Sequence, residues 1–176
     1  MSAPPKLNAE TLREEFDGAF ARSRNDGSED FEAFIAIAVG GDRYFVRLAD
    51  IAGLYVDRVV TPAPTPNPHL RGLVAIRSSL FPVYDLRSLL GYPSGELARW
   101  LLLLRGADAV ALSFDAFEAH VRVARAEVSI DVSTSRAHTH GLVRDASGYR
   151  SLVNSASLLE AIHEAADVEA ASREGT

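Results

Sequence analysis

The chain of 176 residues contains no cysteine. Without thiols it has neither disulfide bonds nor a thiolate metal site, and a cysteine nucleophile is excluded. No apolar run approaches the roughly 20 residues that a membrane-spanning helix needs, and the N-terminus lacks a basic segment followed by an apolar stretch. The sequence therefore predicts a cytoplasmic protein without a membrane-inserted segment, stabilised by its apolar core.

Basic residues are fewer than acidic ones. The chain has 18 Lys and Arg against 24 Asp and Glu, a formal net charge of −6. Because the cations are scattered, the sequence lacks the positive stripe that nucleic-acid binding requires. A glycine-rich phosphate loop is absent, and residues 91–95 read GYPSG rather than Gly-x-Ser-x-Gly. These absences favour a non-enzymatic protein that binds another protein and needs neither nucleic acid nor a cofactor.

Two pairs of side chains are candidates for a chemical site. His138 and His140 would lie on one side of an extended segment, but a metal site needs a third ligand, and none stands at suitable spacing. Asp85 and Asp115 each follow a predicted strand directly, so they are interpreted as turn or cap residues rather than catalytic carboxylates. We expect neither a metal centre nor an enzyme.

The most informative stretch is residues 70–91, which read LRGLVAIRSSLFPVYDLRSLLG. Gly72 to Arg77 and Leu80 to Asp85 are short apolar runs around two serines, a pattern that predicts a β-hairpin. Asp85 stands at an N-cap position, leucines follow at helical spacing, and Gly91 supplies a C-terminal stop. The stretch therefore predicts strand, turn, strand and short helix. Further strands are predicted at 34–39, 44–48, 54–60, 100–104 and 109–114.

The pattern recurs after this stretch. Gly141-Leu142-Val143 repeats Gly72-Leu73-Val74, and Leu158-Leu159 repeats Leu89-Leu90, both at an offset of 69 residues. Two such halves are each too small to be stable alone, so we expect them to share an apolar seam. The sequence predicts one all-β domain. Its bounds are about 31–166, with halves at about 31–91 and 99–160.

Both ends of the chain differ from this domain. Within residues 1–30, a capping box at Thr11 and an apolar stripe predict a separate N-terminal helix, followed by a polar linker. That helix either packs on its own domain or docks on a partner, and both readings remain open. Residues 155–166 are predicted to form a closing helix, and residues 167–176 a frayed tail.

Deleting residues 1–30 should leave the domain folded, because the stripe of that helix contains only three large apolar side chains. We expect the free energy of unfolding to fall by a few kcal/mol at most, roughly what such burial contributes. Thermal melting and partner-binding assays of the truncated chain test this. Aggregation would show that the helix completes the core, whereas lost binding at an unchanged melting temperature would favour docking.

The central stretch resembles the signature of the CheW-like chemotaxis adaptors. Two positions of its turn differ, since Ala75 stands where the family usually has Asn and Ser78 where it usually has Gly. A family glutamate that can pair with the turn arginine is replaced by Gly53, with Asp50 or Asp57 as neighbouring candidates for its role. The residues that match in register are Gly72, Ile76, Arg77, Pro82, Asp85, Leu86 and Arg87.

The resemblance implies two small five-stranded SH3-like barrels packed side by side, with short connecting helices. It implies a scaffold of bacterial two-component signal transduction that holds a chemotaxis-type histidine kinase and a methyl-accepting chemoreceptor in one complex. In the family the arginine of this turn lies at the surface used by both partners. The partner-binding residues are then predicted to be Ile51, Gly53, Gly72, Leu73, Arg77, Ser78, Asp85 and Phe117.

Two alternatives stand beside this hypothesis. The first is a divergent paralogue that has lost receptor-array binding and regulates a sensory pathway through other partners, as the departures at Gly53, Ala75 and Ser78 favour. The second is a small-molecule-binding or enzymatic barrel, which would need a polar pocket with convergent titratable groups that the sequence does not show.

Overall fold

The computed structural model describes residues 31–106, 108–130 and 136–174, with side chains described up to Asp167. The predicted N-terminal helix and linker, residues 1–30, lie outside this part of the chain. Of the helices that the structure describes, none combines the length and the apolar character needed to cross a membrane.

The described residues form twelve strands, two α-helices and two short 3-10 turns. The 3-10 turns are Leu48–Asp50 and Arg125–Glu127, and the helices are α1 (Leu86–Leu89) and α2 (Ser155–Glu174). The strands are β1 (Phe31–Val39), β2 (Asp42–Arg47), β3 (Ile51–Val56), β4 (Val60–Thr61), β5 (Leu70–Ile76), β6 (Ser79–Asp85), β7 (Trp100–Leu104), β8 (Ala111–Phe114), β9 (Ala116–Ala124), β10 (Val128–Ser129), β11 (Thr139–Asp145) and β12 (Gly148–Val153).

The strands form two six-stranded sheets, which confirms a mostly-β fold with few helices. The first sheet has the order β10-β11-β12-β2-β1-β9 and the second the order β3-β7-β8-β6-β5-β4. Neither sheet comes from one half of the sequence, because β1 and β2 join the strands of the second half while β7 and β8 join those of the first. The strands of the two halves are joined by two parallel pairings, β12 with β2 in the first sheet and β6 with β8 in the second.

The central strands are buried on both faces, which explains their nearly continuous apolar runs. On β1, Ile35 and Ile37 enter a core shared by both sheets, whereas Phe34 and Ala36 enter a second cluster on the far face of the first sheet. The second sheet has the same arrangement, since alternate leucines of β7 enter the shared core and a third cluster. Because successive side chains of a strand point to opposite faces of the sheet, one continuous apolar run contributes residues to two clusters.

Several boundaries differ from the predicted ones. β3 begins at Ile51 rather than at residue 54, because its pairing with β7 starts there. β9 was not predicted, although its alternating apolar and polar residues carry a strand signal. Helix α2 continues beyond Ala166 to Glu174, where a frayed tail was expected, because this segment is rich in Ala and Glu, which favour helix.

The internal repeat extends to side-chain hydrogen bonds. His69 Nδ1 lies 2.7 Å from Ser88 Oγ, and His138 Nδ1 lies 2.8 Å from Ser157 Oγ, so both partners recur at an offset of 69 residues. Burial, together with nearby His69, lowers the pKa of His138. Each bond ties the segment before a hairpin to the helix that follows it, which explains why the repeat includes both elements.

Candidate functional site

The β5–β6 hairpin has one face exposed and apolar. On β5, Gly72, Val74 and Ile76 are buried while the residues between them are exposed. The antiparallel register places Leu73 opposite Pro82 and Ala75 opposite Leu80, and opposed residues share a face. Leu73 is 38% exposed and Leu80 is 69% exposed. We call this face the hairpin patch; its members are Leu73, Ala75, Leu80 and Pro82.

Arg77 lies at the tip of this hairpin. The turn consists of Arg77 and Ser78, one residue earlier than predicted, because Ile76 pairs with Ser79. Arg77 has a positive φ of 55°, and its side chain is exposed. Within the described part of the chain, no carboxylate pairs with its guanidinium. A free arginine thus stands at the end of an exposed apolar face.

The candidate carboxylates for Arg77 are engaged elsewhere or lack contact with it. The carboxylate of Asp57 accepts two hydrogen bonds from Arg99, at 2.6 and 2.5 Å, and these bonds lower its pKa. The Asp50 carboxylate forms no ion pair with Arg77 among the described residues, and its charge acts on His140 instead. At Gly53, a Cβ would lie 2.6 Å from the Tyr55 hydroxyl, so a side chain there requires the Tyr55 ring to move.

Three of the predicted partner-binding residues are buried in the domain, and a fourth, Phe117, is partly buried. Ile51 is buried in the shared core, where an exposed apolar residue was expected, because it lies opposite Leu104 at the start of β3. Phe117 packs against that core and against Trp100, with ring centroids 5.4 Å apart. Gly72 and Asp85 are buried as well. The three buried residues can position the surface but do not form it, whereas Phe117 stays partly exposed.

Asp85 and its neighbours hold the base of the hairpin. Asp85, 3% exposed, accepts a 3.0 Å hydrogen bond from the Arg87 amide, which is the N-cap contact expected from the sequence. The Arg87 guanidinium lies 3.4 Å from Asp115, whose carboxylate also accepts the Gly40 amide at 2.7 Å. The signature residues of α1 therefore tie the hairpin to the β1–β2 turn. Asp115 is a structural partner in this arrangement.

The structure brings Leu73, Arg77 and Ser78 together on the exposed hairpin and places Gly53 on β3, an edge strand of the same sheet. Sequence reasoning missed Leu80, which has the larger exposed fraction of the two leucines. The signal was its position as the second residue of β6, where the antiparallel register places it opposite Ala75 and on the same face. Among the described residues no three potential metal-ligating side chains lie together.

Comparison with known proteins identifies the fold. The CheW-like domain family matches residues 33–162. The crystal structure of the scaffolding protein TtCheW from Thermoanaerobacter tengcongensis has the same fold, with a TM-score of 0.63 and 13% sequence identity over 69% of this chain and 88% of that one. A search of curated proteins found no significant relative. The chain belongs to the CheW-like domain family of chemotaxis adaptors.

Proposed function

We propose that this protein is a non-enzymatic adaptor that couples a chemoreceptor to a chemotaxis-type histidine kinase. The observation that carries the proposal is the hairpin patch with the free Arg77 at its tip, in a chain of the CheW-like family. The partner kinase supplies ATP and the phosphoryl transfer. TtCheW, which shares the fold, is described as a scaffolding protein.

The hairpin suits a protein interface for two physical reasons. Contiguous exposed apolar side chains on a soluble domain commonly mark a binding surface, because covering them removes apolar area from water. An arginine beside such a patch adds orientation, since its planar guanidinium binds a carboxylate through two parallel hydrogen bonds. Gly72 and Asp85 are buried residues of β5 and β6 and fix the position of the hairpin on the domain. The hairpin therefore has its binding conformation in the absence of the partner, which lowers the cost of ordering on association.

Arg77→Glu should weaken kinase or receptor binding by roughly 1 to 3 kcal/mol, because it removes the pairing cation and adds a repelling charge. Calorimetry with each purified partner measures the change. Arg144→Glu is the matched control: it makes the same charge change at an exposed site of the first sheet, where Glu127 pairs with it at 3.8 Å. Both variants should keep the wild-type melting temperature.

The second candidate function is that of a divergent accessory protein, which has lost binding to the receptor array and regulates a sensory pathway through other partners. Gly53 favours it, because β3 carries no carboxylate at this position for Arg77. Under this function, Arg77→Glu leaves binding unchanged and the wild-type chain fails to bind the kinase and receptor of its own pathway. If the wild-type chain binds the kinase or the receptor, and Arg77→Glu weakens that binding, the result would instead support the adaptor function.

We further propose that each sheet curls into an SH3-like barrel within a domain at about 31–166. What supports this is the apolar cluster on the far face of each sheet, which contains Phe34 and Phe45 in the first and Val83 and Leu101 in the second. A flat sheet would leave these side chains in water, whereas a curled one encloses them.

A further inference from the structure

The turn between β5 and β6 consists of two residues, Arg77 and Ser78. Turns of this length need a positive φ at both residues or at the first one, and these positions usually hold Gly, Asn or Asp. Arg77 has a φ of 55°, and Ser78 does not share this left-handed conformation. The first residue of the turn is therefore in a conformation that favours glycine, and an arginine occupies it.

The left-handed conformation of Arg77 is strained. In this conformation the Cβ of an L-residue approaches the following carbonyl oxygen, which disfavours the folded state by about tenfold for a residue other than glycine. Native chains keep such a residue where surrounding contacts hold it in place, or where the strain is part of a function. Contacts and function are thus the two explanations for Arg77.

Contacts explain the other strained residues of the described chain. Besides Arg77, its non-glycine residues with a positive φ are Asp57 and His138, both at 53°. Asp and His adopt this conformation more readily than other residues. The Asp57 carboxylate accepts two hydrogen bonds from Arg99, and His138 Nδ1 lies 2.8 Å from Ser157 Oγ. At both positions the side chain is held by a partner from elsewhere in the domain.

Arg77 has no such contact. Its side chain is exposed, and among the described residues its guanidinium has no ion pair, hydrogen bond or aromatic ring as a partner. The pairing of Ile76 with Ser79 closes the turn through the backbone, so a glycine would keep it. The fold therefore does not require an arginine at this position, which leaves function as the explanation.

We propose that Arg77 is a specificity-determining residue, and that its strained backbone fixes the direction of its guanidinium toward a carboxylate of the partner. This inference rests on the proposed adaptor function. The Cα–Cβ bond turns with the backbone, so a φ set by a two-residue turn gives the side chain one direction of departure. A partner that presents a carboxylate beside apolar side chains satisfies both Arg77 and the exposed Leu80. A partner with a cation at this point is repelled.

Arg77→Gly should raise the melting temperature while it weakens partner binding. Glycine relieves the strain but loses more backbone freedom on folding, so we expect a net rise of about 2 °C. The dissociation constant for the kinase or the receptor should rise about tenfold or more, because a hydrogen-bonded charge pair is lost. Calorimetry with each purified protein measures binding, and thermal unfolding measures stability. A merely structural arginine would not produce opposite changes in the two.

Ser78→Gly is the control on the same turn, because it introduces a glycine where there is no positive φ to relieve. Its melting temperature should fall slightly. If Arg77→Gly melts at or below the wild-type temperature, the strain is overturned, even where Arg77→Glu still weakens binding and so supports the adaptor function. If Arg77→Gly melts higher but binds as tightly as the wild type, the role in specificity is overturned. A wild type that binds neither protein would overturn the adaptor function and this role together, whereas the melting result needs no partner.

Discussion

Gly72→Ala should lower the free energy of unfolding by about 4 kcal/mol, combining backbone strain with overpacking. Gly72 has φ near 145°, a conformation that a residue with a Cβ rarely adopts. A Cβ there would lie 2.1 Å from the carbonyl oxygen of Thr61, a backbone atom of the neighbouring strand β4. Because β4 pairs with β5 at this point, with Thr61 opposite Leu73, the two strands must separate or shift to make room for the Cβ.

Chemical denaturation of Gly72→Ala, compared with Gly91→Ala, separates the two contributions. Gly91 has φ of 81°, but nothing lies within 4 Å of the position that a Cβ would take, so that variant carries strain alone and should lose only about 1 to 2 kcal/mol. Equal losses at both positions would contradict the close-approach explanation. Gly141, which repeats Gly72 and whose Cβ would lie 2.3 Å from the Ser129 carbonyl oxygen, should respond to alanine as Gly72 does.

Arg150→Ala should cost about 3 to 5 kcal/mol of stability, because it leaves the largely buried Asp145 carboxylate, whose side chain is 12% exposed, without its cation and removes one of the two cations that pair with Glu118. The Arg150 side chain is 9% exposed; its Nη1 lies 2.5 Å from Glu118 and its Nε 3.5 Å from Asp145. Its guanidinium also stands 5.0 Å from the centroid of the Phe45 ring. Removing it therefore breaks two ion pairs and a cation–π contact at one site.

Arg43→Ala is the matched comparison, because Arg43 pairs with the same carboxylate of Glu118 at 3.1 Å but has a side chain that is 60% exposed. Exposed ion pairs contribute about 0 to 1 kcal/mol, so this variant should melt close to the wild type. Thermal and urea unfolding of both proteins measure the difference. A similar loss for the two arginines would show that burial does not set the strength of this network.

The sequence determined the local elements, because their causes are local. A turn of small residues between two apolar runs predicted the β5–β6 hairpin, and a carboxylate before helically spaced leucines predicted the cap at Asp85. The repeat at 69 residues predicted two related units and a common apolar seam. The motif around Arg77 was sufficient to place the chain in its family, which the match over 33–162 confirms.

The tertiary structure alone decided which strands pair across the two halves and which apolar residues remain exposed. The parallel pairings of β2 with β12 and β6 with β8 join segments far apart in sequence, and no local pattern encodes them. Alternation shows that a strand has two faces but not what covers each, so Ile51 was expected at the surface and Leu80 was overlooked.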